Sequence, residues 1–235
     1  MSSNFFEPSL IFESIPKFLS YLHVTIEILG LSVTLGLLLG ILIAVPKLYN
    51  IPILKEIVTV YISFIRGTPI LIQLFLVFYG LPVVVGLFGV NITRMDPFYF
   101  VIITYTLSNA AAFAEIFRAA IKSVDYGQTE AGYSIGLTIW QNFYRIVFPQ
   151  AFRVAFPNIA NASISSLKDT SLAFSIGVMD MMGRGETLIS ATTHAIEIYI
   201  ALAIIYYVIV LIFERAFKWI EKRLNRYILK EEPAL

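Results

Sequence analysis

The sequence contains no cysteine, and it has few charged residues for its length. Without cysteine the chain has no disulfide, thiolate nucleophile, iron–sulfur cluster or cysteine-based zinc site. Charged residues make up 14% of the 235 residues, against about 25% in soluble domains. Hydrophobic residues make up 58%, so a soluble fold would expose large apolar patches. The composition therefore excludes a soluble domain, and it also excludes a disordered chain, which is marked by low hydrophobicity.

The sequence also has few residues that could bind a metal ion or a nucleic acid. The formal net charge is only +1, so no electrostatic surface for nucleic acid is expected. His23 and His194 are the two histidines, each close in sequence to a glutamate. Two histidines without cysteine are too few for an ordinary metal centre. The sequence therefore predicts no metal site and no nucleic-acid partner.

Long uncharged runs predict about five transmembrane helices, since a helix needs about 20 apolar residues to cross a bilayer. The whole chain, residues 1–235, is expected to form one all-α, multi-pass transmembrane domain. In the first span, Gly36 and Gly40 are four residues apart, which predicts close helix contact within the subunit. The fourth span contains Lys168 and Asp169 near its middle and is the weakest. The predicted spans are residues 18–46, 57–86, 97–121, 155–182 and 195–217.

The basic residues predict the orientation, because cytoplasmic segments carry most Lys and Arg. Those on one side of a five-span chain are Lys47, Lys55, Lys122, Arg145, Arg153, Arg215, Lys218, Lys222, Arg223, Arg226 and Lys230. The other side has only Lys17, Arg94 and Arg184. The C-terminus is therefore expected in the cytoplasm and the N-terminus outside. No signal-peptide pattern precedes the first span, so this span is expected to remain in the mature protein.

The segment 122–154, between spans three and four, is amphipathic. Residues 128–135 are predicted to form a short helix that ends at Gly136. Thr138 and Gln141 match a capping box, which begins a second helix. This helix is expected to continue until Pro149 interrupts it. Two short helices at a tight bend form either a knob for a partner protein or an interfacial helix on the lipid headgroups, and periodicity alone favours the interfacial helix.

This segment resembles the EAA loop of the permease subunits of ABC importers. The matching residues are Glu130, Ala131, Gly132, Gly136, Ile146 and Pro149, with Gly132 in place of the family's second alanine. Other motifs are similar to the polar amino acid branch of that family: Arg66-Gly-Thr-Pro69 followed by Gln73, Glu115-Ile-Phe-Arg118, Gly127-Gln128 and Lys168-Asp-Thr-Ser-Leu172. The resemblance extends over residues 18–221.

The resemblance implies the non-catalytic transmembrane subunit of an importer in the bacterial cytoplasmic membrane. The six EAA residues would couple it to two copies of a separate ATPase, with Glu130 facing a basic residue there. ATP and magnesium would be bound by the ATPase, and this chain would hold no cofactor. A second permease, identical or similar, would enclose the pathway within the lipid bilayer. An extracellular or periplasmic binding protein would deliver a small polar amino acid such as cystine, glutamine, arginine, histidine or glutamate.

Polar residues inside the predicted spans are candidates for the substrate pathway, because charges at membrane depth are costly and face a cavity or one another. Glu115 and Arg118 are three residues apart on one helical face, which favours a local ion pair that orients the helix. Arg66 either pairs with Glu115 or lines the pathway. The polar stretch of span four can also serve helix packing through hydrogen bonds. The candidates are Arg66, Thr68, Gln73, Glu115, Arg118, Asn158, Asn161, Ser163, Lys168 and Asp169.

Two other functions compete with an ABC permease. An ion-gradient-driven secondary transporter or channel would transport substrate without an ATPase. The odd number of spans and the EAA-like segment count against it. An integral membrane enzyme would need a convergent nucleophile, base or metal cluster, and the sequence shows none. Nucleotide binding by residues 127–134 is disfavoured, because Tyr133 stands where a phosphate-binding loop requires lysine.

Overall fold

A computed structural model describes residues 6–225, so Arg226 and Lys230 lie outside the described residues. Within 6–225 every regular element is helical, which confirms the predicted all-α class. The first elements are α1 (Ser9–Leu19), α2 (Leu22–Leu48), α3 (Leu54–Gly67), α4 (Ile70–Phe75) and α5 (Leu81–Gly86). They are followed by α6 (Pro97–Lys122), α7 (Tyr126–Ser134), α8 (Ile139–Asn142), α9 (Phe148–Asp169), α10 (Met181–Thr192) and α11 (Ala195–Leu224).

The core forms around α6, which contacts α2 more extensively than any other pair of helices. Their packing is parallel, since Gly36 and Gly40 of α2 lie against residues 109–114 of α6. On another face α6 contacts α9, and α11 packs against α9 and α1. Phe156 of α9 and Phe217 of α11 meet with ring centroids 6.2 Å apart. Consequently α2, α6 and α11 end where α9 begins, at what we call the coupling end of the bundle.

Span two is not the single helix predicted for residues 57–86. Helix α3 and the stretch Ile70–Gly86 are bent by 114° relative to each other. Thr68 and Pro69 adopt extended backbone at the bend. Proline disfavours helical geometry in the residue before it and lacks an N–H donor. An uncharged run reveals that a segment is apolar, but it does not reveal that the chain changes direction.

Span four also differs from the predicted range 155–182. Helix α9 begins earlier, at Phe148, and ends at Asp169. A 3₁₀ turn, Thr170–Ile176, follows and ends at Gly177, whose φ of +92° is left-handed. Asp180 then caps α10 through its carboxylate, which accepts a hydrogen bond from the Gly183 N–H at 2.9 Å. The helix therefore ends beside the charged pair predicted near its centre.

The remaining differences from the prediction concern the limits of the other spans and two helices that were not predicted. Spans one, three and five correspond to α2, α6 and α11, although residues 18–21 belong to α1 and its turn and α11 continues to Leu224. Helices α1 and α10 were not expected, because their sequences mix polar and apolar residues. In the described chain, α2, α6 and α11 are long and apolar enough to span a membrane, and Leu54–Gly86 is a bent fourth candidate. The count of five depends on α9 and stays a prediction.

Candidate functional site

The segment between α6 and α9 forms a compact turn at the coupling end. Asp125 caps α7, accepting a hydrogen bond from the Gly127 N–H at 2.6 Å. Gly136 has a φ of +83°, the left-handed geometry expected of a glycine that ends a helix. Thr138 and Gln141 form the predicted capping box, with hydrogen bonds of 3.3 and 3.0 Å. Local sequence therefore defines the bend.

Pro149 does not interrupt the second helix, contrary to the prediction. Helix α8 passes through a π-helical turn, Phe143–Val147, directly into α9. Pro149 lies in the first turn of α9, where the wider π turn accommodates its ring and its missing N–H. A π-helical turn between α4 and α5, Leu76–Gly80, likewise precedes a proline, Pro82. The α7–α8 turn is thus joined to α9 by a continuous helical path, which suits it to transmit movement.

Asn142 holds α7 against α8. Its side chain is 1% exposed, and its amide donates a hydrogen bond of 2.8 Å to the Thr129 carbonyl. Gly132 lies directly against it, so that a Cβ at this position would be 2.6 Å from Asn142 Oδ1. The same Cβ would be 2.9 Å from Ile146 Cδ1. The glycine that departs from the EAA motif therefore makes room for the buried asparagine.

The outer surface of this turn is polar at one end and apolar at the other. Glu130 and Ala131 are exposed, and within the described residues Glu130 forms no ion pair within 4 Å. Ile135, Ile139 and Trp140 are each more than 70% exposed. Exposed apolar side chains next to an exposed carboxylate are typical of a docking surface. The sequence analysis did not single out Trp140, whose signal is its four-residue spacing to Tyr144 and Phe148.

The predicted ion pair of Glu115 and Arg118 is present, and a third residue joins it. The Lys47 ammonium lies 3.1 Å from Glu115 Oε2, while Glu115 Oε1 accepts hydrogen bonds from Arg118. Lys47 is at the end of α2, so the triad links α2 to α6. The sequence analysis predicted only that Lys47 lies on the cytoplasmic side, because nothing in the sequence indicates that it contacts Glu115.

Arg66, Thr68 and Gln73 lie at the bend between α3 and α4. Gln73 is 4% exposed, and its amide donates hydrogen bonds of 2.7 and 3.0 Å to the Ile65 and Thr68 carbonyls. Arg66 is exposed and makes no ion pair within 4 Å with Glu115. Instead Arg66 and Glu115 line one open cavity of about 400 Å³, together with Lys47. Gln73 thus stabilises the bend, and Arg66 faces open space.

Helix α9 carries a stripe of exposed polar side chains. Its members share one helical face, at intervals of three or four residues, and we call them the α9 polar stripe: Asn158, Asn161, Ser165 and Lys168. Ser163 and Ser166 point inward, where Ser163 donates to the Ile159 carbonyl and Ser166 accepts from Asn109 at 3.0 Å. Asp169 is half-buried, and its carbonyl accepts a hydrogen bond from Tyr105 at 2.6 Å. The structure therefore brings three predicted residues into one line and separates Ser163 from them.

The two histidines lie apart, near α1. His194 Nδ1 is 3.0 Å from Glu197 Oε1, and the same oxygen accepts a hydrogen bond from the Glu7 N–H at 2.7 Å. Within the described residues, the His23 ring forms a hydrogen bond only with the Ser20 carbonyl, at 2.9 Å. Across residues 6–225, His, Asp and Glu do not gather in groups of three or more that could hold a metal ion. Glu197 thus attaches the N-terminal segment to α11.

These features define a class of protein: a multi-pass transmembrane subunit with an exposed helical turn at one end of the bundle and a polar stripe along one helix. Comparison with known proteins identifies the class. Residues 36–226 match the family described as "Binding-protein-dependent transport system inner membrane component". The chain belongs to this family of ABC importer permeases, which are non-catalytic subunits that work with a separate ATPase and a binding protein.

Individual relatives support the same assignment. The chain is 57% identical to the L-cystine transport system permease protein TcyL of Bacillus subtilis (strain 168), covering 94% of this chain and 92% of TcyL. It is 32% identical to the glutamine transport system permease protein GlnP of Escherichia coli (strain K12), covering 94% and 98%. A crystal structure of an amino acid ABC transporter with histidines aligns with a TM-score of 0.82 and 34% identity, covering 93% and 99%.

Proposed function

We propose that the chain forms the membrane pathway for a polar amino acid in an ATP-driven importer. The observation that carries this proposal is the α9 polar stripe. Asn158, Asn161, Ser165 and Lys168 are exposed on a helix that lies against the apolar bundle. Polar side chains at membrane depth are costly to expose to lipid. A face of this kind is suited to line an aqueous pathway enclosed with a second permease.

The charges at the end of α9 fit a zwitterionic substrate. Lys168 is exposed and Asp169 half-buried where the helix gives way to the 3₁₀ turn. Broken helices of this kind hold substrate sites in many transporters. L-cystine is the first substrate to test, because TcyL is 57% identical and is named for it. Glutamine, arginine, histidine and glutamate have the same zwitterionic core and remain alternative substrates.

The proposed assembly contains two permeases, two ATPase subunits and an extracellular or periplasmic binding protein in the bacterial cytoplasmic membrane. The α7–α8 turn would dock on the ATPase, with Glu130 facing a basic residue there and Ile135, Ile139 and Trp140 covered. ATP and magnesium would be bound by the ATPase. The Lys47–Glu115–Arg118 triad joins the end of α2 to α6, and it would keep the two helices together as the turn moves.

Reconstitution tests the proposal against an ion-gradient transporter. The chain is placed in liposomes with its candidate ATPase and binding protein, and uptake of labelled L-cystine is measured with and without ATP. We expect uptake only with all components and ATP. Equally fast uptake without the ATPase would refute ATP coupling. Glu130→Ala should abolish ATP-dependent uptake while the protein still inserts into the membrane.

Two variants of α9, one in the polar stripe and one at its end, test the pathway separately. Asn161→Leu and Asp169→Asn should each lower uptake at least about 10-fold, the effect of losing about 1.4 kcal/mol of binding. The control is Val208→Leu, on the exposed apolar face of α11, which should leave uptake unchanged. Expression is matched by immunoblot. Wild-type uptake in both α9 variants would place the pathway elsewhere.

A further inference from the structure

The open cavity beside Arg66 lies where α3 packs against α2 and α6. Its volume of about 400 Å³ is within the range of small-molecule pockets, about 300–1,000 Å³. Helix α3 turns one face to it, and the lining residues on that face are Thr59, Ile62, Ser63 and Arg66. All of them except Ile62 are polar and exposed. Val60 and Phe64, exposed on another face of α3, are apolar, so the polar side of this helix is the side that lines the cavity.

The cavity is lined by charges of both signs. Lys47 and Glu115 form an ion pair of 3.1 Å, whereas Arg66 forms no ion pair within 4 Å among residues 6–225. Glu115 Oε1 accepts two hydrogen bonds from Arg118, and Glu115 Oε2 accepts one, from Lys47. A carboxylate can accept about four hydrogen bonds, so Oε2 can accept one more. The cavity therefore offers an unpaired guanidinium and a remaining carboxylate acceptor that do not contact each other.

The cavity lies inside the bundle, nearer the coupling end than the end of α9 does. The Tyr61 hydroxyl donates to the Leu107 carbonyl at 2.6 Å, so α3 packs against the middle of α6. Tyr105, which donates to the Asp169 carbonyl, precedes Glu115 by ten residues on α6, about 15 Å at 1.5 Å per residue. Charged side chains at this depth face a water-filled cavity or one another. Two polar sites are therefore arranged in series along α6.

We propose that this cavity is a second amino acid site on the pathway, in which Arg66 binds the α-carboxylate of the transported molecule and Glu115 its ammonium group. A guanidinium matches a carboxylate through two parallel N–H donors. A ligand that reaches both side chains must carry both charges, as a zwitterion does and a simple anion does not. This inference rests on the proposed transport of an amino acid. The molecule would occupy this site after the one at the end of α9, on its way to the coupling end.

Equilibrium binding to the complete importer in nanodiscs, without binding protein or ATP, counts the sites. Labelled L-cystine is the probe, and bound molecules are counted per copy of this chain. Wild type should bind two, and Arg66→Gln and Asn161→Leu should each bind one fewer. Arg66→Lys keeps the charge without the paired donors, so it should keep both sites and weaken one of them. The matched control is Arg94→Gln, at an exposed position outside the cavity, which should bind as wild type does.

A second variant tests the space in the cavity apart from its charge. Ser63→Phe adds a large apolar side chain to the lining and should remove the same site as Arg66→Gln. Wild-type counts in both variants would overturn the proposal. Native mass spectrometry of the same samples detects lipid. Retention of phosphatidylglycerol by wild type but not by Arg66→Gln would show that a lipid headgroup occupies the cavity, and this result also overturns the proposal.

ATP-dependent uptake of L-cystine by the wild-type importer, measured in parallel, separates this inference from the proposed function. Neither uptake nor binding would contradict the transport of L-cystine, and the second site with it. Uptake together with a single bound molecule per copy, lost in Asn161→Leu and kept in Arg66→Gln, would overturn the second site alone.

Discussion

Gly36 and Gly40 allow α2 and α6 to approach closely. A Cβ at Gly36 would lie 2.6 Å from the Cβ of Asn109, and a Cβ at Gly40 would lie 2.9 Å from the Cβ of Phe113. These distances are shorter than van der Waals contact, so even alanine requires the helices to separate. Close approach of this kind is a principal source of helix association in lipid, where no hydrophobic effect drives helices together.

We expect Gly36→Ala to destabilise the subunit by about 1–3 kcal/mol, the usual cost of overpacking. The control is Gly30→Ala on the same helix, where nothing lies within 4 Å of the added Cβ. Since alanine favours a helix over glycine, the control should melt at or above the wild-type temperature. Thermal unfolding in detergent, followed by light scattering, compares the variants. Identical melting of both alanine variants would contradict the close packing.

Three buried amide side chains satisfy polar groups where helices break or cross. Gln73 donates to carbonyls at the end of α3, and Asn142 donates to a carbonyl of α7. Asn109 links three helices, with Ser166 at 3.0 Å and Ser32 at 3.5 Å. Backbone carbonyls freed by a helix break need a partner inside the membrane, since lipid offers none. Gln73 was predicted as a pathway residue because composition alone does not distinguish this role from substrate contact.

At the scale of elements, the sequence predicts the length of the apolar helices well, but it does not predict where the chain bends. Helix α6 matches its predicted span to within one residue, because an uncharged run and a proline-flanked start mark its limits. The end of α9 at Asp169 is held by a contact with α6, in which Tyr105 donates to the Asp169 carbonyl. The bend after Gly67 is marked in the sequence only by Pro69, within an otherwise uninterrupted uncharged run. The α7–α8 turn was predicted closely, since Gly136 and the capping box of Thr138 and Gln141 act locally. The contact between Lys47 and Glu115 was not predicted, because it joins residues far apart in the sequence.

The α7–α8 turn makes a further prediction, which concerns the pair Gly132 and Asn142. Gly132→Ala would collide with Asn142, which cannot move without losing its bond to Thr129. We expect hydrogen exchange of the amides in 126–148 to accelerate by about 10-fold, the effect of roughly 1.4 kcal/mol. Asn142→Ala alone should also accelerate exchange.

The double variant is the decisive control for this pair. Asn142→Ala removes the closest atom with which the new methyl group collides and leaves Ile146 Cδ1 at 2.9 Å, so the double variant should accelerate exchange by less than the sum of the two single effects. Residues in direct contact are expected to show such coupling. If the two effects simply add, the glycine has no part in accommodating the asparagine.

At the scale of the whole molecule, the path of the chain across the membrane depends on α9. This helix has 22 residues, long enough to cross, but its polar stripe makes it much less apolar than α2, α6 and α11. If α9 crosses, the α7–α8 turn and α10 lie on opposite sides. Helix α11 ends at the coupling end, so α10, which directly precedes α11, lies at the opposite end of the bundle from the α7–α8 turn. This arrangement predicts that α9 crosses the membrane, and with it the count of five spans.

The absence of cysteine makes this path directly measurable, since any introduced cysteine is unique. We expect Thr93→Cys and Ser190→Cys, both at exposed positions, to react with a membrane-impermeant maleimide in intact cells. Ser134→Cys, at the end of α7, should react only after the membrane is permeabilised, as positive residues near it predict a cytoplasmic location. Reaction of Ser134→Cys and Ser190→Cys from the same side would show that α9 does not cross, and that the α9 polar stripe cannot line a pathway through the bilayer along its full length.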